Sequence, residues 1–233
     1  MRRTRITALA VFLAGTALAG TIAAYIDADG IKLCGQPAAV QGNGDVLGST
    51  QSHVAAKEYQ VFRVFKGPPR LDGRLESPEW KQAVAEKRFV FPWEKTTPPA
   101  TVFKALVDDE FLYFAFDVHD ETPVVEEPFT SKTAVAKEDR VELFFAPDDT
   151  LTKYYCLEFD RLGRVLDYAA SYHRHFDNTW KFPAEVKTAA TQTKTGYIVE
   201  GRIPLAALES LKMPSLRAGR AIKVGTFPRR RLP

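Results

Sequence analysis

"TVFKALVDDEFLYFAFDVHD", residues 101–120, decides the fold class. It holds two apolar runs of strand length joined by Asp108-Asp109-Glu110, which reads as a β-hairpin. The same grammar extends outward in both directions. "YQVFRVF" (59–65) alternates, with Val61, Arg63 and Phe65 on one face, and "GPPRLDG" breaks it. "RVELFFA" (140–146) is a further strand. "KYYCLEFDRLGRVLDYAAS" (153–171) is a second hairpin, turning at Asp160-Arg161-Leu162-Gly163. "AEVKTAATQT" and "GYIVEGRI" form a third, with Gly196 near its turn, and "AIKVGTF" (221–227) is the last strand. Two short helices interrupt the strands. "SPEWKQAVAE" has Ser77 as N-cap and Pro78 at the first helical position, and "PLAALESL" starts at Pro204. About eight strands joined by hairpins predict an all-β antiparallel β-sandwich with two short helices.

The 233-residue chain opens with basic Arg2, Arg3 and Arg5, then an apolar, small-residue run to about Ala24 with an Ala17-Leu18-Ala19 cleavage pattern. Residues 1–24 read as a secretory signal peptide. An uncleaved membrane anchor is the alternative, since the run is nearly long enough to span. Residues 25–58, with "QGNGDVLGSTQS", read as a flexible leader, residues 59–227 as one domain, and residues 228–233 as a basic tail. The chain carries 32 Lys and Arg against 29 Asp and Glu; loss of the three leader arginines leaves 29 of each sign. The pI of about 8.8 therefore does not point to nucleic acid. The expected location is secreted or periplasmic, with no stable membrane association after cleavage.

Two cysteines, Cys34 and Cys156, fit no metal-binding spacing, and a disulfide between them is permitted but not favoured. No phosphate-binding Gly-rich loop, H-E-x-x-H or G-x-S-x-G occurs. His173 and His175 share a strand face at i, i+2 without a third ligand in evident spacing.

Five pieces, in order, resemble the family 9 carbohydrate-binding modules, in the family-9-like subgroup of exported bacterial proteins. They are "LDGRLESPEW", "TVFKALVDDEFLYFAFDVHDETP", "EDRVELFFAPD", "YYCLEFDRLGRVLDY" and "GYIVEGRIPLAAL", spanning roughly residues 60–227. The resemblance implies a β-sandwich that binds sugar, is often attached to glycoside hydrolases, and carries no catalytic residues. Glu142 matches the family's glutamate that hydrogen-bonds the sugar. Val141, Leu143 and Phe145 share one strand face, and Arg140, Glu142 and Phe144 the other. A carboxylate suits paired hydroxyls. Arg140 is a second ligand candidate, though a cross-strand ion pair is the plainer reading, and Asp139 reads as an acceptor of loop amides at the strand entrance.

The family's first stacking tryptophan falls at Ala136, which cannot stack, and its second falls past Pro233. The resemblance thus also implies a missing last strand and an open sheet edge. Stacking then rests on Trp93, Trp180 or Tyr172, although core or loop-anchor packing is the plainer reading of both tryptophans; Trp80 is expected in the core. No cofactor is required, although the resemblance makes Ca²⁺ conceivable at Asp148-Asp149 or the "VDDE" turn. The expected function is a secreted, non-catalytic carbohydrate-binding domain linked to polysaccharide breakdown. Alternatives are a degenerate or truncated sandwich without sugar binding, a haem-binding electron-transfer domain that would have to use Met213, and a glycosidase.

Overall fold

The computed structural model describes residues 3–8, 23–27, 30–34, 57–89, 97–125, 127–148, 150–171 and 175–229. Its strands are β1 (Arg3–Ala8), β2 (Ala23–Asp27), β3 (Gly30–Cys34), β4 (Lys57–Arg63), β5 (Ala100–Val107), β6 (Phe111–His119), β7 (Arg140–Ala146), β8 (Lys153–Asp160), β9 (Val165–Ser171), β10 (His175–Asp177), β11 (Lys187–Gln192), β12 (Tyr197–Pro204) and β13 (Lys223–Arg229). One α-helix, α1 (Leu205–Ser210), and two 3-10 turns, Pro78–Lys81 and Lys132–Lys137, complete it. The strands run in the order β10-β9-β8-β7-β13-β1-β4-β5-β6-β12-β11, with β2-β3 as a separate pair.

That order folds into two facing layers, β10-β9-β8-β7-β13 and β4-β5-β6-β12-β11. Their inner faces supply one core: Val141, Leu143 and Phe145 of β7 and Leu157 and Phe159 of β8 share a cluster with Phe103, Phe114, Phe116 and Val199. Alternation explains this, since odd-numbered positions of β7 point inward and even-numbered ones outward. The three expected hairpins are all present, β5-β6, β8-β9 and β11-β12. The pairing is antiparallel apart from the parallel contacts of β1 with β13 and β4 with β5. β13 pairs with β7 along its whole length, but with β1 only at Lys223 and Val224. No described strand pairs residues 225–229 on that side.

Local details differ from the sequence reading. β4 ends at Arg63, so Phe65 is exposed rather than facing the core with Val61. The first helix shrinks to a single 3-10 turn. Ser77 does not cap it; its hydroxyl oxygen accepts the Arg70 N–H at 3.1 Å instead. The turn Lys132–Lys137 carries no apolar period and was not anticipated. Met213 is buried in the main core, as packing and not at a strand end.

The outer face of the second layer is covered by the segment after β4. Trp80 seals it against Val64, Leu106, Tyr113 and Ala115. Glu200, fully buried on β12, holds that segment down. Its carboxylate accepts the backbone N–H groups of Asp72 (2.9 Å), Gly73 (2.8 Å) and Leu75 (3.0 Å). Gly73 is required twice over: its φ is +73°, and a Cβ there would stand 2.8 Å from the Ala190 backbone. The Asp72-Gly73…Trp80 motif is thus an anchored flap ending in an apolar plug.

Glu200→Gln should cost about 2–4 kcal/mol, because the carboxylate's charge-assisted bonds go and a buried amide N–H₂ faces donors. Urea unfolding would read this as a lower midpoint at unchanged slope. An unshifted midpoint would mean the flap is held by Trp80 alone.

Candidate functional site

The outward residues of β7 and β8 build a polar centre on the first layer. Glu142 lies directly across from Glu158, and Phe144 across from Cys156. Arg140 sits between the two acids. Its Nη2 is 2.9 Å from Glu142 Oε1, and its Nε contacts Glu158 Oε2. Its Nη1 donates to the backbone carbonyls of Ala136 (3.0 Å) and Glu138 (3.1 Å). One guanidinium thus binds two strands and the connection leading into β7. All three charged residues are buried; Glu142 is 3% exposed and Glu158 4%.

Aromatic rings frame this centre. Phe144 lies 5.8 Å from Phe227 and 6.2 Å from Tyr154, and Tyr168, across from Cys156, meets Phe176 at 5.2 Å. Val135 of the turn Lys132–Lys137 packs into the same cluster. Burial governs the electrostatics. It pushes the Glu158 carboxyl up from 4.5 to about 7, and the negative charge of Glu142 pushes the same way. Burial would lower Arg140, but Glu142 and Glu158 hold its proton more firmly than usual. Burial also raises the Cys156 thiol and the Tyr168 hydroxyl, leaving both neutral. Cys156 is free.

Of the residues expected at the site, Arg140 and Glu142 come together, as the cross-strand ion pair. Asp139 accepts the Val124 N–H at 2.6 Å, the loop-amide role read from its position. Trp180 is elsewhere. Its ring stacks on inward-facing Tyr155 at 5.1 Å and meets Phe182 at 6.1 Å, on the core side of the layer. It cannot share a ligand face with Glu142 in this arrangement. Trp93, Tyr172, His173 and Asp149 lie outside the described residues. Asp108 and Asp148 serve their own turns, accepting Phe111 N–H at 2.7 Å and Thr150 N–H at 2.9 Å. Among the described residues no three His, Cys, Asp or Glu cluster as metal ligands would. The sequence reading put Phe144 on the Glu142 face without a role and missed Glu158, Tyr154, Tyr168 and Phe227. The alternation Tyr154-x-Cys156-x-Glu158 put Tyr154 and Glu158 on one face, but nothing local said that this face is covered.

A family profile described as carbohydrate family 9 binding domain-like matches residues 71–224. The chain belongs to that family. The chain is similar to exoglucanase XynX of Acetivibrio thermocellus, 28% identical over 167 residues, which are 68% of this chain and 13% of that protein. It is also similar to endo-1,4-beta-xylanase C of Paenibacillus barcinonensis, 34% identical over 149 residues, 61% of this chain and 12% of the enzyme. The chain therefore spans about an eighth of the curated relatives it matches. A crystal structure of a candidate carbohydrate-binding protein from Bacteroides uniformis shares the fold. The identity is 15%, with a TM-score of 0.51 over 64% of this chain and 73% of the other. That likeness agrees with the sandwich fold.

The raised Glu158 carboxyl makes a signed prediction. Its folded value lies above its unfolded one, so the stability it contributes is present below about 4.5 and lost as pH rises through about 7. The loss is on the order of 3 kcal/mol. Glu158→Gln, which keeps the shape and removes the charge, should flatten the fall between pH 4.5 and 8. Parallel stability curves for the two proteins over that range would show that Glu158 is charged throughout.

Proposed function

We propose that the protein is a secreted, non-catalytic carbohydrate-binding domain that works beside glycoside hydrolases on polysaccharide. The family match over residues 71–224 carries this reading, and the two relatives, named as an exoglucanase and a xylanase, support a setting of polysaccharide breakdown. The sugar site is the outer face of β7 and β8. Glu142 is the hydroxyl acceptor and Arg140 the donor beside it. Carboxylate and guanidinium make the stronger, charge-assisted bonds with paired hydroxyls. Rings such as Tyr168 and Phe144 give the apolar C–H face of a pyranose a π surface. Trp93 and Tyr172 remain stacking candidates; Trp180 would serve only in another arrangement of its loop. This chemistry needs no cofactor.

Non-catalysis fits the same geometry. A glycosidase needs two carboxyl groups flanking an open cleft, one free to give a proton and one free to attack or activate water. Here Glu142 and Glu158 are both tied to one arginine and covered. Export rests on the basic start and apolar run of residues 1–24; their removal would take away β1, which pairs with β4 and β13. Among the described residues no helix is long and apolar enough to cross a membrane.

One observation favours a second reading, a sandwich without sugar binding. Arg140 spends its donors inside the protein, and Ala136 supplies no ring.

Calorimetry and affinity electrophoresis against glucose, xylose, cello- and xylo-oligosaccharides, xylan and β-glucan separate the two. The sugar reading expects retention by at least one glycan, with Glu142→Gln weakening it tenfold or more while the fold persists. No heat and no retention across the panel leaves the second reading.

A further inference from the structure

The covered site raises the question of how a sugar reaches it. We propose that residues 127–139 form a strap that lifts from the first layer, uncovering Arg140, Glu142 and Glu158. The opening as such stands on the structure alone; that it admits a sugar rests on the function proposed above.

Four observations carry the strap. First, it covers the site directly. Val135 is fully buried in the cluster that holds Phe144, Cys156 and Tyr168, and the carbonyls of Ala136 and Glu138 sit on Arg140. Second, little apolar surface fastens it. The turn Lys132–Lys137 buries only Ala134 and Val135, and residues 127–131 are exposed. Third, charged latches at its border hold it. Lys132 Nζ donates to Asp167 Oδ1 (2.7 Å), the Asp167 carbonyl (2.6 Å) and the Trp180 carbonyl (2.8 Å). Arg164, at the β8-β9 turn, reaches Glu138 Oε1 (2.8 Å) and Glu127 Oε1 (3.1 Å), with Phe129 stacked 4.3 Å from its guanidinium. Fourth, the strap has a fixed neck. Asp139 N–H donates to the Val124 carbonyl at 3.2 Å, and Val124 N–H donates to the Asp139 carboxylate at 2.6 Å. A segment fixed at its base, plugged by two small side chains and latched by ion pairs whose cations, Lys132 and Arg164, are partly solvated is a unit that opens well below the free energy of global unfolding.

Cys156 gives a readout that needs no sugar. It is fully buried beneath Val135's cluster, so a thiol reagent reaches it only when the cover opens. In the full chain carrying Cys34→Ser, reaction with 5,5′-dithiobis(2-nitrobenzoate) reports that opening. Lys132→Met keeps the aliphatic stem and removes the three donated bonds; Lys132 touches none of the sugar-contact residues. The strap predicts labelling at least tenfold faster in Lys132→Met, with both proteins labelled far faster than they unfold globally and the urea midpoint lowered by no more than that tenfold shift represents, and faster labelling of the unsubstituted strap in high salt. It also predicts that a glycan retained by the parent protein binds Lys132→Met severalfold tighter, since less of the binding free energy goes into opening. Labelling that follows global unfolding in both proteins, indifferent to Lys132 and to salt, overturns the strap. Faster labelling with unchanged glycan affinity overturns its role as a gate. Faster labelling with no glycan bound by either protein leaves the opening established and removes the sugar-binding function instead.

Discussion

The first layer depends on how Arg140 divides its donors. One guanidinium touches the carboxylate of its own strand, the carboxylate of the neighbouring strand and two carbonyls of the incoming connection. Without it two buried acids would face each other across β7 and β8, and neither could stay ionised cheaply. The raised Glu158 carboxyl shows that even with Arg140 the charges do not balance. One cation against two acids leaves an excess negative charge in a buried place. Replacing such a cluster by apolar side chains would often be neutral or stabilising. A stability gain therefore does not account for its presence in a sheet otherwise packed with Phe144, Tyr154 and Phe227.

The two layers meet the same demand in different ways. Each must hide an outer face, and each uses a long connection for it. On the second layer Glu200 accepts three backbone amides and Trp80 fills the apolar gap. Amide donors cannot be titrated or screened away, and a tryptophan is a large plug. On the first layer the cover is plugged by a valine and an alanine and latched by Lys132 and Arg164. The fixed cover lies over plain core. The weaker cover lies over the only buried Arg–Glu cluster found among the described residues.

Alternation made the layers legible. In "RVELFFA" and "YYCLEFD" the inward Val141, Leu143, Phe145, Leu157 and Phe159 follow directly from period two, as do the three hairpins. What alternation could not say is whether the other face meets water. Glu142 and Glu158 look like solvent-facing acids in the sequence; a segment without apolar period, closing over them, makes them buried. The parallel contact of β4 with β5 was equally invisible, since it joins segments some forty residues apart through two residue pairs. For Trp180 the sequence left stacking and packing both open. Its neighbour in space, Tyr155, belongs to the inward set, so the ring packs.

The position read as the family's stacking tryptophan, Ala136, is the exposed end of the cover itself. A ring there would meet sugar from above with the cover closed. An alanine leaves the rings below the cover, Phe144, Tyr154, Tyr168 and Phe227, as the aromatic surface of this face. If sugar stacks on these rings, as proposed, the cover must open first, and affinity is then intrinsic affinity multiplied by the open fraction. A binding domain and a degenerate sandwich would differ less in which residues they hold than in how firmly Lys132 and Arg164 hold the cover shut.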